Sequence, residues 1–289
     1  MILITGAAGK TGLAILKAVL PAGEPVRVLV RRDFQAAELR ELGAQDGIIG
    51  DMTDPDLLRR AFDGVRAAYH ICPNMNPNEV SIGQNAIAAA REAGLEHFVY
   101  HSVLHPQVQE MAHHWNKLLV EALLFKSGLN YTILQPASYM QNISGYWRKM
   151  LTAGEYAVPY SVAARFSMVD LDDVAQAAAK VIREGERHYR AIYELCGSQL
   201  LSSADIAELA GEAIHRQVQA VTLSRDAWER SALENGMNEY ARNTLLRMFE
   251  YYDGYGFAGN ATMLGNLLGR TPTRFEEYLK RTTHLSPSN

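Results

Sequence analysis

The sequence is poor in cysteine, carries no surplus of either charge and contains no long apolar run. Each lack removes a class of protein. The two cysteines, Cys72 and Cys196, build neither a disulfide framework nor a zinc cluster, and read as small buried hydrophobes in a reducing compartment. Lys plus Arg number 28 against 32 Asp plus Glu, a net charge of −4, without the basic surplus of a nucleic-acid footprint. No stretch approaches the roughly 20 apolar residues of a membrane span; KLLVEALLF is interrupted by Glu121. The opening MILITG has no basic n-region and runs straight into a strand pattern. The expectation is a cytoplasmic globular protein, monomer or homodimer, with no nucleic acid, no membrane and no metal.

What is present is an alternation. The chain of 289 residues, 48% hydrophobic and 21% charged, is long enough for one large domain or two interwoven ones. In its first half, short apolar runs at 2–5, 26–30, 47–50, 67–71, 98–101 and 131–134 alternate with helical patterns at 11–20, 35–42, 54–62, 82–93 and 114–127. That rhythm predicts βαβ units on a parallel sheet covered on both faces, hence an α/β fold. In the second half, strand patterns occur at 166–169, 191–195 and 217–223, and helical ones at 171–184 and 203–215, the latter capped by Ser202 or Ser203. From Arg225 onward the chain is helical and aromatic, with Phe249, Tyr251, Tyr252, Tyr255 and Phe257 close together.

The strongest feature is ILITGAAGKTGLAIL, in which a strand runs through Gly6, Gly9 and Gly12 into a helix. The first glycine permits a tight turn, the second lets backbone approach a pyrophosphate, and the third allows helix and strand to touch. The helix N-terminus then offers unpaired N–H groups and a partial positive charge. Thr5, Gly6, Gly9, Lys10, Thr11 and Gly12 are the expected contacts of a dinucleotide. A P-loop is excluded, because Ile4 stands where its first glycine belongs.

The second strand, VRVLV, ends at Arg31 and Arg32 instead of the acid that holds an NAD ribose. An arginine grips a 2′-phosphate with its planar fork. Arg31 therefore favours NADP(H), with NAD(H) the second candidate because Asp33 follows closely. Asp51 and Met52 are placed to flank an adenine, and Cys72 and Pro73 to pass over the adenosine ribose; turn-forming and packing roles remain open for them.

The fifth strand ends at His101-Ser102, and the next helix carries His113, Lys117 and Glu121 at spacings of four, on one face. A Tyr-x-x-x-Lys pair with a serine after the fifth strand is the proton-handling set of short-chain dehydrogenases. Here the lysine is in place and His113 replaces the tyrosine. Histidine titrates near neutrality, so His113 is a candidate acid. Ser102 is a candidate substrate ligand, and Lys117 is either a cofactor ligand or the partner of Glu121.

Three segments, TGAAGKTG, HHWNKLLVEALLFKSGLNYTILQPASYMQN and LLGRTPTRFEEYLKR, resemble the NmrA-like, atypical branch of the short-chain dehydrogenases/reductases, which includes quinone reductases and triphenylmethane-dye reductases. The resemblance implies a Rossmann-type doubly wound parallel sheet with a smaller, interwoven C-terminal substrate domain and NADP(H) in the cleft. Residues 1–135, with 166–185 returning to them, would form the NAD(P)-binding domain; 136–165 and 186–289 would bind substrate. It also implies that the three glycines cradle pyrophosphate, Arg31 the 2′-phosphate and Lys117 the nicotinamide ribose, while Pro136, Ala137 and Tyr139 line the nicotinamide side. The family's arginine before that proline is Gln135 here, so no role for it carries over. Tyr139, Asn142 and Trp147 are the expected substrate contacts, in a pocket suited to a flat aromatic or quinone. The expected activity is hydride transfer from NADPH to such a molecule. Alternatives are an NADP-binding redox sensor without turnover, and a tailoring oxidoreductase on a polycyclic aromatic intermediate with oxygen involved.

Overall fold

In the computed structural model, which describes residues 1–283, the alternating half folds as its pattern predicts. β1 (Ile2–Thr5) leads through the glycine turn into α1 (Lys10–Val19). There follow β2 (Val26–Val30), α2 (Asp33–Glu41), β3 (Asp46–Ile49), α3 (Pro55–Phe62) and β4 (Ala67–His70). Then come α4 (Glu79–Glu92), β5 (His97–His101), α5 (Ala112–Phe125) and β6 (Tyr131–Pro136). The remaining elements are α6 (Trp147–Ala153), β7 (Glu155–Val158), β8 (Arg165–Phe166), α7 (Leu171–Glu184), β9 (Ala191–Leu195), β10 (Leu201–Ser202), α8 (Ser203–Ala213) and β11 (Gln219–Thr222). Four helices close the described chain: α9 (Arg225–Glu234), α10 (Glu239–Tyr255), α11 (Thr262–Leu268) and α12 (Phe275–Thr283).

Seven strands form the main sheet in the order β3-β2-β1-β4-β5-β6-β9, and the pairings from β3 through β6 are parallel. The order reverses at β1, whose neighbours are β2 and β4. In open α/β sheets the crevice beyond the carboxyl ends of the strands at such a reversal is where ligands bind. This is the Rossmann-type, doubly wound arrangement.

The chain divides into two units. The first comprises Met1–Gln109, His113–Gln135 and Val174–Tyr193; the second comprises Glu110–Ala112, Pro136–Asp173 and the chain from Glu194 onward. The return to the first unit thus runs over Val174–Tyr193, not 166–185 as the sequence suggested. The reason is local pairing: Arg165 and Phe166 join Ser202 and Leu201 in a two-stranded ribbon of the second unit.

In the first unit, Leu3, Leu29, Phe98 and Ile133 of the sheet meet Leu57 and Phe62 of α3, Ile82 of α4, and Val120 and Leu124 of α5 in one core. α4 and α5 approach closely because residue 83 is glycine: a Cβ there would lie 2.6 Å from a Val120 methyl. The core of the second unit gathers Met140, Ile143, Met150, Tyr156, Ile206, Phe275 and Leu279. Two carboxylates at the start of α7 bind the C-terminal segment within this unit. Asp170 accepts Arg281 at 2.6 Å, and Asp173 accepts both Arg270 and the Thr273 N–H at 2.6 Å. Those bonds explain the polar residues of the LLGRTPTRFEEYLKR segment: Thr273 and Arg281 anchor the chain to buried acids.

Two strand expectations need correction. β7 is a strand although its sequence shows no alternation, because it pairs in parallel with β11 and extends a tertiary contact instead of a pattern. The expected strand at 166–169 is only the two-residue β8, with Val169 in an isolated bridge to Tyr139.

Candidate functional site

The glycine turn has the stereochemistry that its sequence predicts. Gly6 has φ +60°, a conformation that costs side chains about 1–2 kcal/mol. A Cβ on Gly12 would lie 2.3 Å from the Gly6 oxygen and 2.6 Å from the Ala7 Cα, so backbone itself occupies the place of a side chain. The turn is closed by the Gly9 N–H donating to the Gly6 oxygen at 3.0 Å. Gly9 is the N-cap of α1, no side chain caps it, and no acid stands in the first turn. A helix N-terminus with no side-chain cap and no first-turn acid favours an anion. A cavity of about 420 Å³ opens here, lined by Gly6, Gly9, Arg31, Arg32, Met52 and Pro73 among others. Glycines that backbone crowds, an uncapped helix end and arginines together fit a dinucleotide phosphate.

Sequence-predicted residues around this cavity separate into two groups. Arg31 and Arg32 are exposed at its rim, directly after β2, and Asp33 is turned into the first turn of α2, where an acid suits the helix dipole. Lys10 is exposed and Thr11 half-buried at the start of α1. Thr5 is different: its buried hydroxyl accepts the Ile71 N–H at 2.8 Å and lies 3.1 Å from His70 Nδ1, tying β1 to β4. Asp51 is also occupied, since its Oδ1 accepts both the N–H and the hydroxyl of Thr53 at 2.9 Å. These bonds, with Arg31 nearby, hold its carboxyl below the usual range. Cys72 is buried, and burial pushes its thiol far up, so it is inert.

The second group surrounds α5. His113, Lys117 and Glu121 share a face, as their spacing requires, and all three are buried. Lys117 does not pair with Glu121. Its Nζ donates to Glu79 Oε1 at 3.0 Å and to the His101 oxygen at 3.1 Å, and it lies 5.4 Å from the Tyr100 ring centroid. The Tyr100 hydroxyl donates to the same Glu79 oxygen at 2.9 Å. Glu121 instead accepts the Ser102 hydroxyl and the Gln135 amide, and burial raises its pKa. The proton of Ser102 is thereby committed to Glu121, which leaves that serine nothing to donate to a substrate.

His113 is no acid near neutrality. Burial first, then the charge of Lys117 and the neighbouring His114 and His101, hold it well below the ordinary histidine value. His101 is lowered to about 3 by burial and Lys117, and its Nδ1 lies 2.7 Å from the Tyr69 hydroxyl. Lys117 is thus set among neutral imidazoles, with Glu79 as the carboxylate it touches. No sequence signal pointed to Glu79: it stands on another helix, ahead of the helical pattern read at 82–93.

In the second unit, Pro136 and Ala137 are buried where β6 ends, the Ala137 N–H donating to the Leu195 oxygen at 3.0 Å. Tyr139 is half-buried and bridged to Val169, and Asn142 is exposed, its N–H donating to the Tyr139 oxygen at 3.0 Å. Trp147 packs against the Met140 and Ile143 core. Of the C-terminal aromatics, Phe249, Tyr252 and Phe257 are buried. Phe249 and Tyr252 meet Tyr160, Phe166 and Trp228 in tilted or edge-on contacts, and Phe257 packs on Tyr252, as core, whereas Tyr255 is 78% exposed. Among the described residues no cluster of His, Cys, Asp and Glu could hold a metal, and no helix is long and apolar enough to cross a membrane.

Fold and glycine turn together define a Rossmann-type dinucleotide-binding architecture. Within that class the chain belongs to the NmrA-like family, whose profile matches residues 1–279. It is 27% identical to the NAD(P)H azoreductase of Xenophilus azovorans over 285 residues, 97% of each chain. It is 30% identical to quinone oxidoreductase 2 of Escherichia coli K12 over 230 residues, 77% of this chain and 76% of that one. The crystal structure of the Escherichia coli NADPH-dependent quinone oxidoreductase complexed with NADPH superposes with a TM-score of 0.86 at 24% identity, covering 98% of this chain and 99% of that one.

Proposed function

We propose that this chain is an NADPH-dependent reductase that passes hydride to a planar, conjugated small molecule, with quinones the most natural class. The observation that carries the reading is the glycine turn: backbone fills the place of a Gly12 side chain, α1 begins uncapped, and two arginines rim the cavity beside it. The similarity to an azoreductase and to a quinone oxidoreductase supports an oxidoreductase whose substrates are flat and electron-poor.

NADPH, when bound, supplies the hydride. The chain's own residues bind and orient. Backbone at the start of α1 takes the pyrophosphate, and Arg31 takes the 2′-phosphate, with Met52 and Pro73 beside the adenosine. Lys117 offers an N–H to the nicotinamide ribose, fixed in direction by its bonds to Glu79 and His101. Pro136, Ala137 and Tyr139 are assigned to the nicotinamide side, and Tyr139 and Asn142 to substrate contact. The first unit would then be the nucleotide domain and the second the substrate domain. Neutral His113 leaves the site without a strong side-chain acid. A quinone suits such a site, because hydride addition leaves a hydroquinone anion that takes its one remaining proton from water.

The test is loss of reduced-nicotinamide absorbance with NADPH against a panel of quinones and azo and cationic dyes, with oxygen uptake followed in parallel. Turnover that Lys117→Ala abolishes is expected. Saturable NADPH binding without turnover on any acceptor would replace the reductase by a redox sensor. Oxygen consumed in step with NADPH would make it a tailoring oxidoreductase.

A further inference from the structure

The lysine on which this reading rests is held by a carboxylate that helical spacing does not connect to it. We propose that Glu79 is the positioning residue of the site, the fixed counter-ion that keeps Lys117 a cation and aims its N–H groups. This deepens the reading that Lys117 contacts the cofactor and rests on it.

Glu79 is 1% exposed and Lys117 5%. One oxygen, Oε1, accepts both the lysine at 3.0 Å and the Tyr100 hydroxyl at 2.9 Å. The His101 carbonyl takes a second lysine N–H at 3.1 Å. Two of the three ammonium protons therefore have fixed directions, and the third is left for a ligand. Glu79 reaches this place because α4 and α5 touch one turn further along, where Gly83 faces Val120.

The other titratable groups around Lys117 do not replace Glu79. Tyr100 and Cys72 are pushed up by burial and stay neutral. His70, His101 and His113 are pushed down and stay neutral. Glu121, four residues along α5, is engaged by Ser102 and Gln135. Without Glu79 the ammonium would be buried with no counter-ion in contact, and an unpaired buried ammonium sheds its proton as pH rises.

The experiment is NADPH affinity, read by nicotinamide fluorescence from pH 6.5 to 9.5, for the native chain, Glu79→Gln, Glu79→Asp and Lys117→Ala. Glu79→Gln keeps the shape and an acceptor but removes the charge. Its affinity relative to the native chain at the same pH is expected to fall at least tenfold between pH 6.5 and 9.5. Glu79→Asp, which restores the charge, is expected to keep the native profile. A Glu79→Gln profile that matches the native one, while Lys117→Ala weakens NADPH, overturns the role of Glu79 and leaves that of Lys117 standing. Native affinity in Lys117→Ala overturns both. Should Glu79→Gln not fold, Glu79→Gln combined with Lys117→Met buries no lone charge and is compared with Lys117→Met alone. If Glu79 acts through Lys117, the second substitution costs no further affinity; an added loss beyond about threefold overturns the proposal.

Discussion

Acid should unfold the first unit at a pH at which its carboxylates are still ionised. His70, His97, His101, His113 and His114 are all buried there. Burial lowers each: His70, His97 and His114 to about 4, His101 to about 3, and His113 well below its ordinary value. The unfolded chain binds these protons near pH 6.5 and the folded chain does not. A histidine whose folded pKa is depressed contributes stability in full above its unfolded value, and that contribution is lost as pH falls towards the folded one. Moving from 6.5 to about 4 costs the native state about 2 kcal/mol per histidine at pH 5. The four with stated values together withdraw roughly 8 kcal/mol, comparable to the whole stability of a domain. Glu121, raised by burial, works in the opposite direction but is a single group. Urea unfolding followed by circular dichroism at pH 7, 6 and 5 should show stability falling steeply below pH 6.5, and His101→Asn should lessen the slope by about 1.4 kcal/mol per pH unit. A stability unchanged within about 1 kcal/mol from pH 7 to 5 would refute the reasoning.

Three substitutions test other parts of the molecule. Gly12→Ala puts a methyl 2.3 Å from the Gly6 oxygen; it should cost about 1–3 kcal/mol of stability and weaken NADPH at least tenfold by calorimetry. Gly254→Ala, in α10 with nothing within 4 Å of the new methyl, should stabilise by up to about 1 kcal/mol and leave binding alone. Asp173→Ala leaves the Thr273 N–H without its acceptor and removes the ion pair with Arg270, which is partly exposed. It should cost about 3 kcal/mol, the lower end for a broken buried pair, and reduce Tm by roughly 10 °C.

Much of the nucleotide end was legible because it is local. A turn followed by a helix writes its requirements into adjacent residues, and Gly6, Gly9 and Gly12 carry them directly. The placement of Arg31 at the cavity rim was legible for the same reason, since it is the first residue after an unmistakable strand. Asp54, at the start of the helical pattern at 54–62, caps α3, its side chain accepting the Asp56 N–H. The surroundings of Lys117 were not legible. Helical spacing offered Glu121, four residues on, whereas the partner is Glu79, brought across from α4 by the close contact at Gly83. Ser102 and Thr5 were read as facing a ligand because of their position after strands; each spends its hydroxyl on a buried neighbour that lies 19 or 65 residues away. His113 was read from its solution chemistry, and burial beside a cation reverses that chemistry. β7 escaped notice because a strand of four residues in a small sheet is defined by its partner.

A dinucleotide site that recognises the 2′-phosphate is the central claim, and one titration addresses it. NADPH and NADH are titrated separately into the native chain and into Arg31→Ala, followed by nicotinamide fluorescence. Saturable one-to-one binding is expected, with NADPH the tighter ligand in the native chain and the difference largely erased by the substitution. No saturable binding of either nucleotide, or an equal loss for both in Arg31→Ala, would contradict it.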